Sequence, residues 1–370
     1  MAKLTDLCDI QYGYAFDSAL FTDDCSYPQL VRIRDVKRGY SETFYNGDYP
    51  EEYVLSAGDL LIGMDGEFNI ARWKVDGALL NQRVCKITAK DNADEEFLRF
   101  ALSKALKVIE ERTSFATVKH LSAKELNKLE IAVPSYGEQK NKSEILRRLE
   151  RIIKLRQNEL NSLDNLIKAR FVEMFGEGLN DDGKYPLLSI SEIGKVVSGA
   201  TPKTSNDDYW DGENLWITPA ELTEDSFVVF DTERKITDEG VNSCAVHLLP
   251  VGTVILSSRA PIGKVAIAGA PMYCNQGFKN IIPNEKINSV YLFELLSMET
   301  EYLNSLGRGA TFKEISKQIV ESIRIKVPPK KIQNRFAEFV KQVDKSKVVV
   351  QKALDEAQIL FDSLMQEYFG

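Results

Sequence analysis

The chain has 370 residues, of which 44% are hydrophobic and 28% charged, with a net charge of −8. That length supports two or three domains with cores of their own, and the composition is that of an ordinary globular protein. It excludes a membrane-spanning class, because no stretch approaches the roughly 20 apolar residues of a bilayer crossing, and an acidic balance leaves nucleic-acid binding only to local patches.

In chain order, the opening "MAKLTDLCDI" lacks the basic-then-apolar layout of a signal peptide, so a cytoplasmic location is expected. The five cysteines are Cys8, Cys25, Cys85, Cys244 and Cys274, with no C-x-x-C pair; this fits a reducing compartment, without a disulfide framework or zinc site. The two histidines, His120 and His247, read as surface or boundary residues. A turn-rich, basic and aromatic stretch, "VRIRDVKRGY", is followed by the strand candidates "DLLIGM" and "RVCKIT". A helical run, "EEFLRFALSKALKVIEE", leads to "TSFATVKHLS", a strand ending at Pro134 and a long helix.

The same order then recurs. Asn81-Gln82 reappears as Asn275-Gln276, Gly58 as Gly252, Pro134 as Pro328 and Gly176 as Gly370, all at an offset of 194 residues. Upstream the offset is 186, placing Leu4, Asp6 and Leu7 opposite Ile190, Glu192 and Ile193. "TSFATVKHLS" is the earlier copy of "GRGATFKEIS", in which Gly307 and Gly309 are expected to let the chain turn. A repeat this long is a duplicated domain with one changed loop length. "TVILSS", "KNIIP" and the run "NSVYLFELLSMETEYLNSL" are the second copy's strands and helix.

The closing helices carry matched heptad seams. Leu146, Leu149, Ile153, Arg156, Leu160, Leu163, Ile167, Arg170 and Met174 correspond to Val340, Val343, Lys347, Val350, Leu354, Ala357, Phe361, Leu364 and Tyr368. Such a stripe on one helix is ordinary core packing, whereas two matched stripes point to the helices packing on each other. Units related by a two-fold axis would pair them antiparallel. Each spans about 36 residues, or roughly 54 Å, about one and a half turns of B-DNA.

Catalytic signatures are missing: no Walker A loop, no G-x-G-x-x-G, no G-x-S-x-G elbow and no Asn/Asp-Pro-Pro-aromatic tetrapeptide. Asp65 and Glu67 in "GMDGEFN" suggest a metal-dependent nuclease, but the second copy has Arg259 and Pro261 in those slots. A scaffold retained while loop tips diverge is what two recognition modules for different targets would show. A coiled-coil protein-interaction scaffold is the other alternative.

The phrase "GRGATFKEISKQIVESIRIKVPPKKIQ", with "VGTVILSSRAPIGKVAI", "CNQGFKNI" and "LWITPAEL", resembles the specificity subunits of Type I restriction–modification systems. The first copy departs from that pattern in "GMDGEFNIARW", in lacking a glycine before Ala116, and at Ser135-Tyr136. The resemblance implies an α+β fold. Two similar mixed α/β target-recognition domains, over 1–137 and 181–331, would be related by pseudo-two-fold symmetry. Two long antiparallel coiled-coil helices, 138–180 and 332–370, would separate them. It further implies a non-catalytic chain in which each domain reads one half of a bipartite site in double-stranded DNA, while the helices set the gap and dock two methyltransferase subunits. S-adenosylmethionine, ATP and magnesium would belong to the methyltransferase and restriction subunits, which methylate adenine N6 and cut DNA.

Candidate DNA contacts are Arg32, Arg34, Lys37, Asn81, Gln82 and Lys119 in the first copy. In the second they are Lys203, Thr218, Arg259, Asn275, Gln276, Lys279 and Lys313. Arginine and lysine suit phosphates and guanine, and Asn and Gln suit adenine. Asn81 and Asn275 have an equal claim to fixing a turn.

Overall fold

The computed structural model describes residues 1–112, 119–179, 183–223, 226–259, 261–308 and 313–370. Ala116-Thr117 and Gly309 to Phe312, which carried part of the repeat, lie outside the described residues. The chain forms two compact units, Met1–Gln157 with Lys352–Gly370, and Asn158–Gln351. Each therefore takes in part of both long helices.

The first unit is built on a four-stranded sheet in the order Cys8–Tyr12, Val84–Ala89, Leu60–Gly63, Asn69–Arg72, every neighbour antiparallel. Leu60, Ile62, Cys85 and Ile87 alternate onto one face and meet Phe97, Leu98 and Leu102 of the helix Glu95–Arg112. The opposite face carries Leu61 and Val84, packed with Trp73 and Val31. A small second sheet pairs Leu30–Val31 in parallel with Ala78–Leu80.

The second unit repeats this plan. Its sheet runs Gly194–Ser198, Lys279–Pro283, Val254–Leu256, Val265–Ala268, with Val228–Val229 added in parallel at the edge. Trp216–Ile217 pairs in parallel with Tyr273–Cys274, the counterpart of the first unit's small sheet. The predicted single helix after the sheet is two, Ser289–Met298 and Thr300–Ser305. It breaks at Glu299, which leaves helical backbone angles and accepts a hydrogen bond from the Leu179 N–H at 3.1 Å.

The duplication extends to single hydrogen bonds. Buried Gln139 donates to the Pro134 and Asn92 carbonyls and accepts from the Asp94 N–H at 2.9 Å. Buried Gln333 does the same with Pro328, Lys286 and the Asn288 N–H at 2.7 Å. Each glutamine locks the start of a long helix to the N-cap of the helix after the sheet. A buried amide with both ends bonded is among the more costly groups to remove.

The long helices are Tyr136–Phe175 and Lys330–Phe369, 40 residues each. Leu146, Leu149 and Ile167 of the first seam are buried, as are Val340, Val343, Val350 and Ala357 of the second, whereas Val348 and Val349, off the seam, are 69% exposed. Within the second unit Asp164 bonds Lys347 at 2.7 Å and the Phe171 ring meets Phe336 at 5.4 Å, so the segments run antiparallel there. The seam's charged break at Lys347 is thus neutralised by Asp164. Off the seam, Phe171 and Phe175 join Tyr291 and Phe336 in a fully buried aromatic cluster. These closing turns belong to the core of a unit, the packing expected of a lone amphipathic helix.

Candidate nucleic-acid interface

Both Asn-Gln pairs sit in a turn between strands that a glycine approaches closely. A Cβ on Gly13 would lie 2.0 Å from the Asn81 carbonyl oxygen, and one on Gly199 would lie 2.0 Å from that of Asn275. Only glycine allows the approach. The Tyr14 N–H then donates to Leu80, and the Ala200 N–H to Cys274, both at 3.0 Å. The Asn81 side chain accepts from the Gln82 N–H at 2.9 Å, and Asn275 accepts from the Gly277 N–H at 2.7 Å. The asparagines therefore fix the turn, one of the two roles expected of them, and the exposed Gln82 and Gln276 occupy its tip. Gln276 bonds the Thr201 hydroxyl, which also accepts from Asn275 at 3.2 Å.

The remaining candidates fall into two groups. Arg32 precedes a short 3-10 turn, its N–H bonded to Asp35 at 3.1 Å, and exposed Arg34 lies 4.0 Å from the same carboxylate. Lys37 pairs with Glu67, and Lys119 donates to Glu110 at 2.9 Å. Lys203 and Lys313 are exposed. The Thr218 hydroxyl caps another 3-10 turn by bonding Glu221 at 3.0 Å. Gly307 lies outside the left-handed region. The expected turn there is instead a matter of space, since a Cβ would meet Ile262 at 2.8 Å.

Arg259 and Lys279 are brought together by Glu314, which the sequence reading missed. One carboxylate oxygen accepts from Arg259 Nε and the other from Lys279 Nζ, each at 3.1 Å. Burial works to raise the Glu314 carboxyl, but Lys279 and Arg259 outweigh it and hold it below the ordinary carboxylate range. The Lys279 side chain is 9% exposed, and its ammonium also reaches the Ser258 hydroxyl at 3.4 Å.

At the same place in the first unit the acid sits on the other side of the bridge. Residues 259 and 314 pair as an isolated backbone bridge, and so do residues 65 and 120. Asp65 occupies the arginine's slot and His120 the glutamate's, their side chains in contact, with Arg83 reaching Asp65 at 3.5 Å. Arg83 has φ 70°, a left-handed conformation uncommon for a residue with a side chain. The Asp65 carboxylate is spent on His120 and Arg83, and that of Glu67 on Lys37, so the acids weighed as a nuclease centre are both ion-paired. Among the described residues no cluster of three or more His, Cys, Asp or Glu side chains is placed to hold a metal. The 194-residue offset, carried to residues 120 and 314, is the signal that could have found this pair. A second omission, the Arg234 guanidinium 3.7 Å over the Trp210 ring, has no such signal.

A domain repeated with its internal bonds intact, and with the acid of one surface pair on opposite sides of the same bridge in the two copies, defines a tandemly duplicated α+β protein. The chain belongs to the family described as Type I restriction modification DNA specificity domain, whose sequence model matches residues 1–165 and again 184–357. It is 38% identical over 186 residues to the Type I restriction enzyme MjaIX specificity subunit of Methanocaldococcus jannaschii, across 48% of this chain and 43% of that subunit. It is 41% identical over 139 residues to the Escherichia coli Type I restriction enzyme EcoBI specificity subunit, across 37% of this chain and 29% of that one. The matched segments thus span less than half the length of these two relatives. Over 100% of this chain the fold is similar to the crystal structure of a Type-I restriction-modification system S subunit from M. genitalium, covering 95% of it with a TM-score of 0.63 at 15% identity.

Proposed function

We propose that the protein is the DNA-reading, non-catalytic specificity subunit of a Type I restriction–modification complex. Each unit reads one half of a bipartite site in double-stranded DNA. The paired helices set the gap between the halves and dock methyltransferase subunits, and restriction subunits join the assembly. S-adenosylmethionine, ATP and magnesium act on those partners, which carry the adenine-N6 methylation and the cleavage. The domain limits 1–137 and 181–331, with the spacer segments 138–180 and 332–370 that carry most of the two long helices, are the proposed exchangeable parts.

The single observation that carries this reading is the duplicated scaffold with an inverted exposed pair, Asp65–His120 against Arg259–Glu314. One scaffold with two different reading surfaces suits two different half-sites. The exposed cations Arg34, Lys203 and Lys313 and the half-buried Arg32, with Gln82 and Gln276 at the turn tips, are the proposed first contacts, and Lys37, Asn81, Lys119, Thr218, Asn275 and Lys279 support them. The test maps methylated adenines in host DNA before and after residues 181–331 are exchanged for those of another family member. One half-site should change while the other and the gap stay. Loss of both halves, or of neither, overturns the modular reading.

A further inference from the structure

The Arg259 guanidinium is anchored at one end and free at the other. Its Nε is bonded to Glu314, whose second oxygen is held by Lys279, and its side chain is 48% exposed. Among the described residues neither of its terminal nitrogens meets an acceptor. An arginine fixed through Nε presents Nη1 and Nη2 as a parallel fork of N–H donors, the arrangement that fits the O6 and N7 acceptors of guanine in the major groove. The same fork also fits a phosphate bidentately, but a phosphate contact carries no sequence information, and that is what separates the two roles experimentally.

Around the fork, the carboxylate is already divided between two cations, so it does not compete for the outward nitrogens. Lys279 is nearly buried, which assigns it to holding Glu314. In the first unit the acid moves across the same backbone bridge. Asp65 is 21% exposed and turned to its partners, while His120 and Arg83 are 45% and 51% exposed. Cys85 stands where Lys279 stands in the second unit and is buried.

We infer that Arg259 is the guanine-reading side chain of the second unit, with Glu314 as its positioning residue, and that the inverted pair Asp65–His120 occupies the corresponding reading position of the first. This rests on the DNA-reading function proposed above. It adds a base identity, a positioning residue and a pair of equivalent positions.

The experiment incubates the purified full chain with duplexes randomised over two segments and sequences the bound fraction. The wild type should select a bipartite motif with an invariant guanine in one half. Arg259→Ala and Arg259→Lys should both lose preference at that position by roughly ten- to a hundred-fold and leave the other half unchanged. Glu314→Gln should weaken preference at the same position while affinity for the rest of the motif holds, a result that a purely structural role would not give. Asp65→Arg with His120→Glu should alter one position in the opposite half. Retention of the motif by Arg259→Ala, or a uniform loss over all sequences with a shallower salt dependence, would overturn the guanine assignment, the second outcome making Arg259 a phosphate anchor. An unchanged opposite half in the double variant overturns the equivalence. A wild-type chain that selects no motif sinks the DNA-reading function itself, and the inference with it.

Discussion

The helix after the central sheet meets the long helices in both units, and the two contacts are electrostatically opposite. In the first unit Arg99, 17% exposed, forks onto Glu150 at 2.6 and 3.0 Å and onto Glu96 at 2.9 Å. In the second unit the aligned residue is Phe293, set edge-on against Phe227 at 4.9 Å. The next position, Phe100 in the first unit, is Glu294, which is 8% exposed. Asp164 and Lys168 of one long helix and Asp344 and Lys347 of the other face it. The first unit closes the contact with a satisfied ion network, while the second leaves a buried acid among charges of both signs. Duplication has therefore preserved backbone geometry and polar locks, and charge has been free to change wherever a different pairing still neutralises it.

The shared geometry gives the largest expected effects. Gly13→Ala and Gly199→Ala each force a methyl group to within 2.0 Å of a backbone carbonyl that strand pairing holds in place. Each should destabilise its own unit by roughly 3 kcal/mol, at the upper end for overpacking. Hydrogen exchange followed peptide by peptide in the intact protein separates the units. A loss confined to one of the two variants would break the equivalence of the copies at this turn.

The difference in charge predicts opposite responses to pH. Burial, then repulsion by Asp344, pushes the Glu294 carboxyl up to about 7, against the pull of Lys168 and Lys347. A carboxyl raised on folding contributes stability that is complete below its ordinary range, and that stability is lost as pH rises through about 7. Glu96 is the reverse case. Burial raises it, but Arg99 and Arg72 outweigh burial and hold it low, so its contribution is present above the ordinary carboxylate range and lost in acid. Glu294→Gln should therefore stabilise the second unit by roughly 1–3 kcal/mol at pH 8 and have little effect at pH 4. Arg99→Met should destabilise the first unit by about 2 kcal/mol at pH 7, and by less in acid, because Glu96 and Glu150 lose a shared, partly buried partner. Urea unfolding at several pH values checks both signs. Parallel pH trends in the two units would remove the contrast.

Much of this architecture was legible in the sequence because duplication is written in register: the Asn-Gln turns, the strands at 60–63 and 254–256, and the seams all follow from the 194- and 186-residue offsets. The break at Glu299 was not, since Met-Glu-Thr is compatible with a continuous helix and the bond from Leu179 that accompanies the break comes from 120 residues away. Of the site, the exposed cations could be picked by residue type, but their ranking could not. Lys279 and Arg259 look alike in a sequence, yet one is nearly buried and the other presents its fork outward, and the difference lies in Glu314, which reaches them across 35 and 55 positions. Side-chain roles set by long-range ion pairs leave no local pattern.

The smallest expected effect tests how far the equivalence of the copies reaches into local caps. Ser122 and Ser316 begin matching short helices, Ala123–Lys128 and Lys317–Ser322. Ser122 forms a two-way cap: its hydroxyl accepts from the Glu125 N–H at 3.2 Å, and its own N–H donates to the Glu125 carboxylate at 3.0 Å. Ser316 accepts from the Ile319 N–H at 3.3 Å, and isoleucine has no carboxylate to return the bond. The Ser122 hydroxyl first, and its N–H second, hold the Glu125 carboxyl low, so that the return bond is present above the ordinary carboxylate range and fades as pH falls. Ser122→Ala should cost about 1 kcal/mol at neutral pH and less in acid, whereas Ser316→Ala should cost about half as much with no pH dependence of its own. Amide exchange within the two six-residue helices reads both. Equal costs at all pH values would mean that the carboxylate adds nothing to the first cap, and that the copies are equivalent here despite the change from Glu125 to Ile319.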